Sequence, residues 1–515
     1  MSELASEPVG TAAPPVLVVG AGPVGLAAAL LLARHRVPSV LLEAAPHRQT
    51  IGSRSICVQR DVLDILDRVG AGRSIVDAGV TWYTGRIYFR EHEVATITFP
   101  RTGAGEYPPF VNISQTDVEL LLERRVLAEP LVDLRYGHRV TGIEQAATGV
   151  RLHTSTVDGP RSFAGTHCVA ADGARSTVRA LLGLPFPGHS FDDQFLITDI
   201  RARLDFPVPE RRFYFDPPAN PGRQVLLHPQ PDSVWRIDWQ VPDGFDLDTD
   251  RAAGGLERRV RAIVGAAGYE PVWLSVYRFH QRRVPAMVCG RVLLAGDAAH
   301  VMSPFGARGM NSGIADAENA AWKIAVHRAG EAGPALLDSY DHERGAAAAE
   351  NLRVTGRTMR FLVPRTEAER AHRTAVLERS VHDPAARAEI DSGKLSEPFW
   401  YLDSPLTTPA DPVELAGFPT APGVARPPLP GVLCPDLPCS GGARLRSVLG
   451  TGFTVLAGSR AGVGGVAVPD EVARALRFGP HGAALVRPDG YLAAVLAGDD
   501  LPAGLAAARR RACGW

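Results

Sequence analysis

Three features of the chain predict an α/β fold. An apolar strand near the start runs into a glycine-rich turn and an Ala/Leu helix. A strand-dominated stretch follows from Val140 to Gln240. A proline-dense segment, Pro405 to Pro438, then sets off a small terminal unit. The 515 residues amount to about three domains' worth of structure. Apolar residues at 45% and charged residues at 22% exclude a disordered, collagenous or disulfide-scaffold protein. The 55 basic residues against 56 acidic ones leave no excess for neutralising phosphates, so no nucleic-acid partner is expected.

The six cysteines form no Cys-x-x-Cys pair, and Cys434 and Cys439 lack a second ligand pair, so no metal site is expected. Free thiols suit a reducing cytoplasm. Met1 to Pro15 has neither a charged nor an apolar signal region, and Val24 to Ala33 is too short to span a bilayer. A soluble, cytoplasmic protein without a membrane span is the expectation.

The elements follow in order. Val16–Val19 reads as a buried parallel strand. Gly20-Ala-Gly22-Pro-Val-Gly25 turns the chain into a helix from Leu26 to about Arg34, and Val40–Leu42 is a second strand ending in Glu43. Helical periodicity returns over Val62–Val69 and Val118–Ala128, with alternating, strand-like residues from Gly85 to Phe99 between them. Another apolar strand, Arg291 to Ala295, precedes a glycine-rich turn and a long helix from about Met310 to His327. Residues 334–390 read as helical, and Gly458 to Gly465 as a structural turn.

The first unit is a complete dinucleotide-binding βαβ of the Rossmann type. Gly20 allows the tight turn, Gly22 lets backbone approach a pyrophosphate, and Gly25 lets the helix pack on the strand. Pro23 and Val24, within the turn, are counted with the glycines as cofactor-binding, and the N-terminus of the helix offers N–H groups to phosphate. Glu43, 18 residues beyond Gly25, is placed to accept ribose hydroxyls. Two later strand ends carry Asp172-Gly173-Ala-Arg-Ser176 and Gly296-Asp297-Ala-Ala-His300, the latter followed by Pro304 and Gly309-Met310-Asn311. In these three segments, in this order, the chain resembles the flavoprotein aromatic hydroxylases, the para-hydroxybenzoate hydroxylase family, closely over about residues 14–345. Leu485-Val-Arg-Pro-Asp-Gly-Tyr491 looks like the signature of the thioredoxin-like domain carried by phenol hydroxylase relatives.

The resemblance implies FAD as cofactor, NAD(P)H as transient co-substrate and O₂. Asp297 would meet the ribityl chain, a role compatible with capping a helix. Asp172 and Gly173 would contact both cofactors, although an Asp-Gly pair also makes a simple turn. Arg54 would sit against the flavin, and Gln115 would bind it at a helix start. Gly296, Pro304, Gly309, Met310 and Asn311 would complete the site. The chain departs from the family at Gly306-Ala307-Arg308-Gly309, where relatives carry Gly-Gly-Gln-Gly: Ala307 removes a glycine and Arg308 adds a cation.

The implied organisation is a discontinuous FAD-binding domain (14–80, 104–187 and 285–345) with an inserted antiparallel-sheet substrate domain (81–103 and 188–284). A helical segment (346–404), a linker (405–439) and a thioredoxin-like C-terminal domain (440–515) complete it. The implied activity is NAD(P)H-dependent hydroxylation of a phenolic or polycyclic aromatic through a flavin C4a-hydroperoxide. The alternative is a related flavoprotein performing Baeyer–Villiger insertion or quinone-forming oxidation. A halogenase lacks support, because Trp235 and Trp239 have the wrong spacing for its motif. The partner is a small aromatic, with a homodimer also in view.

Strand alternation puts Trp235, Ile237 and Trp239 on one face, and Arg236, Asp238 and Gln240 on the other. Leu226, His228 and Gln230 share a face across the Pro231-Asp232 turn. The polar set suits an ordinary wet face or a substrate cavity. On the second reading His228 or Asp238 binds or deprotonates the phenol, with Tyr214 as a further catalytic candidate. The resemblance puts Arg236 near the cofactor.

Overall fold

The computed structural model describes residues 14–50, 55–101, 103, 106–206, 209–421, 423–439, 442–498 and 500–515. Its first sheet has six strands in the order Val288–Cys289, Val292–Leu294, Cys168–Ala170, Val16–Val19, Ser39–Leu42 and Val132–Arg135. All neighbours are parallel except the outermost Val288–Cys289 pair. Each of the three central strands is fully buried and reads as a continuous apolar run, as parallel strands covered on both faces must. The Pro23–Arg34 helix is buried from Gly25 to Ala33, because it lies between this sheet and the long Arg308–Arg328 helix.

The topology gathers the three sequence fingerprints. Val16–Val19, Cys168–Ala170 and Val292–Leu294 are adjacent and parallel, so the segments following them all leave from the same sheet edge. Ligands of open α/β sheets bind in the crevice beyond the carboxyl ends of the strands.

The second large sheet has eight strands: His300–Val301, Tyr269–Arg283, Gly188–Ala202, Val234–Val241, Gln224–Pro229, Glu210–Phe215, Thr84–Phe89 and His92–Thr98. It is antiparallel with one exception. Thr84–Phe89 arrives from an early part of the chain and pairs parallel to Glu210–Phe215. One face packs on the short helices Leu247–Ala252 and Gly255–Val264 around Trp235, Ile237 and Trp239. The other face turns toward the first sheet's domain. There the Asn112 side-chain amide donates to the Pro229 carbonyl at 3.0 Å.

Two expected boundaries move. The division at 345/346 falls inside one continuous helix, Ala335–Leu362, since nothing in Glu343 to Ala349 interrupts helical periodicity. The end of the expected linker belongs to the terminal unit: Leu433 bridges Tyr491, and the Cys434 N–H donates to the Gly490 carbonyl at 2.9 Å. Proline content marks the segment but does not keep its last residues off a sheet edge. The terminal sheet itself runs Val466–Ala467, Thr454–Ala457, Ala483–Val486, Leu492–Leu496, with the Leu501–Ala512 helix against it. Among the described residues, no helix is long and apolar enough to cross a membrane.

Candidate active site

The glycine turn has the geometry of an anion cradle. Gly20 has φ +97°, and a Cβ there would stand 2.5 Å from the Ala171 carbonyl oxygen. A Cβ on Gly25 would lie 1.8 Å from the Gly20 oxygen, so glycine is obligatory at both positions. Gly22 is the reverse case: nothing lies within 4 Å of its Cβ position, and no side chain caps the helix that starts there with Pro23. The first N–H groups of that helix have no side-chain cap, which suits a pyrophosphate. Val24 packs under the turn, its methyl 3.0 Å from a Cβ built on Gly296. Glu43 Oε2 accepts the Ala21 N–H and Oε1 the Ala45 N–H, both at 2.8 Å, which pins the carboxylate beside the turn with lone pairs left over. These residues fit an adenine dinucleotide.

The neighbouring fingerprints are braced by residues that sequence patterns did not single out. Asp172 spends its carboxylate locally, accepting from the Ser176 hydroxyl at 2.5 Å and the Val178 N–H at 3.0 Å. Gly173, at φ +80°, makes the turn that lets it do so. Arg179 then joins this segment to the next, donating to the carbonyls of Ala174 (2.8 Å) and Ala298 (2.9 Å). Asp316 lies beneath the third fingerprint. It accepts the Gly296 N–H at 3.0 Å, His300 Nε2 at 2.8 Å and Arg344 Nε at 2.6 Å, all buried. Arg344 and His300 hold its carboxyl down at about 2 against the upward push of burial. Asp297 is half-buried on the Gly296–Ala298 turn.

Other expected cofactor residues divide. Gln115 opens the Gln115–Leu127 helix and accepts the Ser55 N–H at 3.3 Å, while donating to Glu119 at 2.8 Å. Arg54 lies outside the described residues. The Asn311 side chain acts as a clip within the protein. It donates to the carbonyls of Cys57 (2.9 Å) and Ala307 (2.6 Å) and accepts the Gln59 N–H at 3.0 Å, fixing the Cys57–Gln59 strand to the long helix. Pro304 is exposed in the turn before that helix, while Gly309, half-buried, and Met310, buried, lie in its first turn.

The departure from the family has a structural counterpart. Ala307 occupies the left-handed region at φ +55°, a conformation costing a non-glycine residue roughly 1–2 kcal/mol, and packs beside Trp82, Phe99, Phe110 and Leu395. Arg308 turns into the protein. Its guanidinium donates to Asn351 Oδ1 at 2.6 Å and to the carbonyls of Lys394 (3.1 Å) and Leu395 (2.9 Å). The added cation therefore ties a strap, residues 391–397, across the loop.

On the eight-stranded sheet, register decides which candidates meet. Asp238 stands opposite both Leu226 and Ile197, while Arg236 stands opposite His228 and Asp199. Phe213 pairs with Leu226, so Arg211, two residues earlier, lies on this face too. His228, Asp238, Arg211 and Arg236 thus share the face turned toward the first sheet's domain. Tyr214 does not. It pairs with Val225 opposite Trp239, on the far face, where its ring stacks on Tyr88 at 4.7 Å, so its catalytic candidacy falls. Arg236 is drawn into a buried ion pair with Asp199, at 2.8 and 2.7 Å.

His228, Asp238 and Arg211 are enclosed by protein yet keep part of their surface free of contact, as residues lining a recess do. Asp238 Oδ1 and Arg211 Nε have no hydrogen-bond partner. Burial raises the Asp238 carboxyl to about 7 against the opposing pull of Arg236. Burial, with Arg211 and Arg236 nearby, pushes the His228 imidazole well below its usual range, so it is neutral.

Comparison with known proteins agrees with this geometry. The model of an FAD binding domain family matches residues 13–355. Anhydrotetracycline monooxygenase of Streptomyces rimosus is 32% identical over 358 residues, covering 66% of this chain and 68% of the relative. Pentachlorophenol 4-monooxygenase of Sphingobium chlorophenolicum is 29% identical over 351 residues, covering 66% and 63%. The crystal structure of the flavin-dependent monooxygenase PieE, in complex with FAD and substrate, superposes with a TM-score of 0.78 at 22% identity, covering 98% of this chain and all of that one. The fold and the triple fingerprint define a flavoprotein. The chain belongs to the FAD-dependent aromatic hydroxylases and is an FAD-dependent aromatic monooxygenase.

Proposed function

We propose that this enzyme uses NAD(P)H and O₂ to hydroxylate a phenolic or polycyclic aromatic held between the two sheets, with Asp238 and His228 receiving the phenol. The observation that carries the reading is the pair of unsatisfied polar groups on the inward face, Asp238 Oδ1 and Arg211 Nε. Buried polar atoms without partners cost roughly 1–3 kcal/mol each, and a ligand that supplies the partner removes that cost.

Bound FAD, once reduced, supplies the activated oxygen. The chain's residues do the rest: they bind, orient and exclude water. Glu43, the Gly22 turn and Asp297 would hold the dinucleotide, while Trp82, Phe99 and Phe110 supply an apolar wall near the strap. A free phenol titrates near 10, about three units above Asp238, so full proton transfer to that carboxylate is uphill by about 4 kcal/mol. Asp238 therefore serves as an acceptor while charge builds on the ring oxygen, with Arg211 and Arg236 stabilising that charge. Neutral His228 is a second acceptor.

The terminal unit is read as thioredoxin-like, supported by its strand order: the second strand, then the first, third and fourth. Lacking Cys-x-x-Cys, it plays a structural part. A screen of phenols, hydroxybenzoates and polyketide aromatics, read as NADPH consumption with mass analysis, tests the function. The expected product gains one oxygen; a screen in which no phenol accelerates NADPH oxidation overturns the reading.

A further inference from the structure

A narrow cavity of about 40 Å³ lies where the Arg60–Asp67 and Arg308–Arg328 helices, residues 396–401 and the terminal unit meet. It is separate from the recess on the eight-stranded sheet, because none of its lining residues belongs to that sheet. A buried water needs roughly 10–15 Å³ of such space, so there is room for about three.

The charges in its lining balance except at one residue. Arg68 pairs with Glu318, Arg446 with Asp64, Arg344 with Asp316, Glu397 with Arg426 and Asp489 with Arg487. Asp61 has no ion pair among the described residues, and its hydrogen-bond donor is its own backbone N–H. Arg446 pulls on it from nearby but is committed to Asp64 at 2.7 Å and to the Cys434 carbonyl at 2.8 Å. Burial pushes the Asp61 carboxyl up to about 6, as expected of a charge short of compensation. Its place in the first turn of a helix supplies only a fraction of a positive charge.

A second acceptor in the lining is idle. Asn319 is 2% exposed, and its Nδ2 donates to Glu343 at 2.8 Å and Asp489 at 3.2 Å. Ionised carboxylates only accept, so the amide cannot be turned over, and Oδ1 is the atom left without a partner. The Gln59 N–H donates to Asn311 and Arg68 donates to Glu318, so the two helices run side by side in the same direction. Asp61 therefore stands beside the start of the long helix, with Asn319 about six residues further along it, on the order of 10 Å away.

The cavity thus offers a surplus anion near one end and a spare carbonyl oxygen near the other. Water would fill the space yet leave the Asp61 charge uncompensated, which is costly away from solvent. We propose that this cavity binds a short aliphatic amine, whose ammonium meets the Asp61 carboxylate while a donor at its other end meets Asn319 Oδ1. A slender, two-ended chain suits both the volume and the spacing. A bulky cation without N–H groups suits neither.

The test is equilibrium dialysis of the FAD-loaded enzyme against labelled 1,4-diaminobutane, with ionic strength held constant by sodium chloride. Wild type should bind one equivalent saturably, and excess tetramethylammonium should not displace it. Asp61→Asn, with its flavin content checked, should bind about 10- to 100-fold more weakly, the loss of one charge-assisted contact. Absence of saturable binding to wild type means that water fills the cavity and overturns the inference. Displacement by tetramethylammonium overturns it too, by showing general attraction of cations, as does undiminished binding to Asp61→Asn. The wild-type competition decides the matter even where the variant fails to fold.

Discussion

Two of the buried clusters of charge in this molecule are built in opposite ways. The first joins the Arg308–Arg328 and Ala335–Leu362 helices to the terminal sheet. Glu343 accepts two bonds from Arg487 (2.6 and 2.8 Å), one from Lys323 (2.8 Å), one from Asn319 (2.8 Å) and one from Ser404 (2.6 Å). Asp489 accepts from Arg487, Asn319 and Trp322 at 2.6–3.2 Å. In this cluster every charged side chain is paired and Asn319 Oδ1 is left without a partner, whereas in the second, Arg211, His228 and Asp238, charged groups themselves hold idle atoms, Arg211 Nε and Asp238 Oδ1. A closed network marks a joint in the scaffold. An open one marks a place where something else completes the set.

The sharpest way to break this contrast is to open the closed cluster. Glu343→Ala leaves Lys323 buried without its anion and Arg487 with Asp489 alone, and breaking such a set costs about 3–5 kcal/mol. Thermal unfolding of the FAD-loaded protein should show a large drop in Tm, and proteolysis should release the terminal unit first. An unchanged Tm would show that the cluster is not the joint described here.

The open cluster should respond in the other direction. The raised carboxyl of Asp238 means that the folded state holds its proton more tightly than the unfolded chain does. That contribution to stability is complete below about pH 4 and is lost as pH rises through about 7. Asp238→Asn should therefore be more stable than wild type at pH 8, by roughly 2–4 kcal/mol, with the two converging in acid. It should also weaken substrate-stimulated NADPH oxidation or divert it to hydrogen peroxide. Parallel stability–pH curves would show that Asp238 has a partner in solution.

Much of the cofactor end was legible in the sequence because its constraints are local. Gly20, Gly22, Gly25 and Glu43 lie within one βαβ unit, and each answers to backbone geometry there. The substrate face was legible only in part. Alternation correctly separated Trp235 from Arg236 within a strand, but it says nothing about phase across the connection from Phe215 to Gln224. A shift of one residue there moves a whole strand to the other face, so the face of Tyr214 was not readable from alternation. Arg211 gave no signal among three consecutive charged residues, Glu210 to Arg212. Asp316 was hidden for a related reason: its partner, Gly296, is 20 residues away.

A smaller effect is expected at the ribityl position. Asp297→Ala should lower FAD affinity about 10- to 100-fold, the worth of one charge-assisted hydrogen bond of about 1.5–3 kcal/mol. Flavin content after dialysis measures it, and full retention would displace Asp297 from the role its place on the sheet edge suggests.

The smallest effect should come from the terminal unit's thiols, and it separates the scaffold reading from a redox one. Cys434 is fully buried in that unit's core, and burial pushes its thiol up to about 12, so it carries no thiolate at neutral pH. Burial also raises Cys439 and Cys513. Thiol exchange requires the thiolate, so none of the three is poised for it. Replacing all three by Ser should leave turnover within about twofold once FAD is loaded. It should lower stability by roughly 1–3 kcal/mol, the cost of burying the Cys434 hydroxyl without a strong partner. A large loss of turnover in protein that keeps its fold and flavin would mean that electrons pass through the terminal unit, and its closed charge network would then need a second purpose.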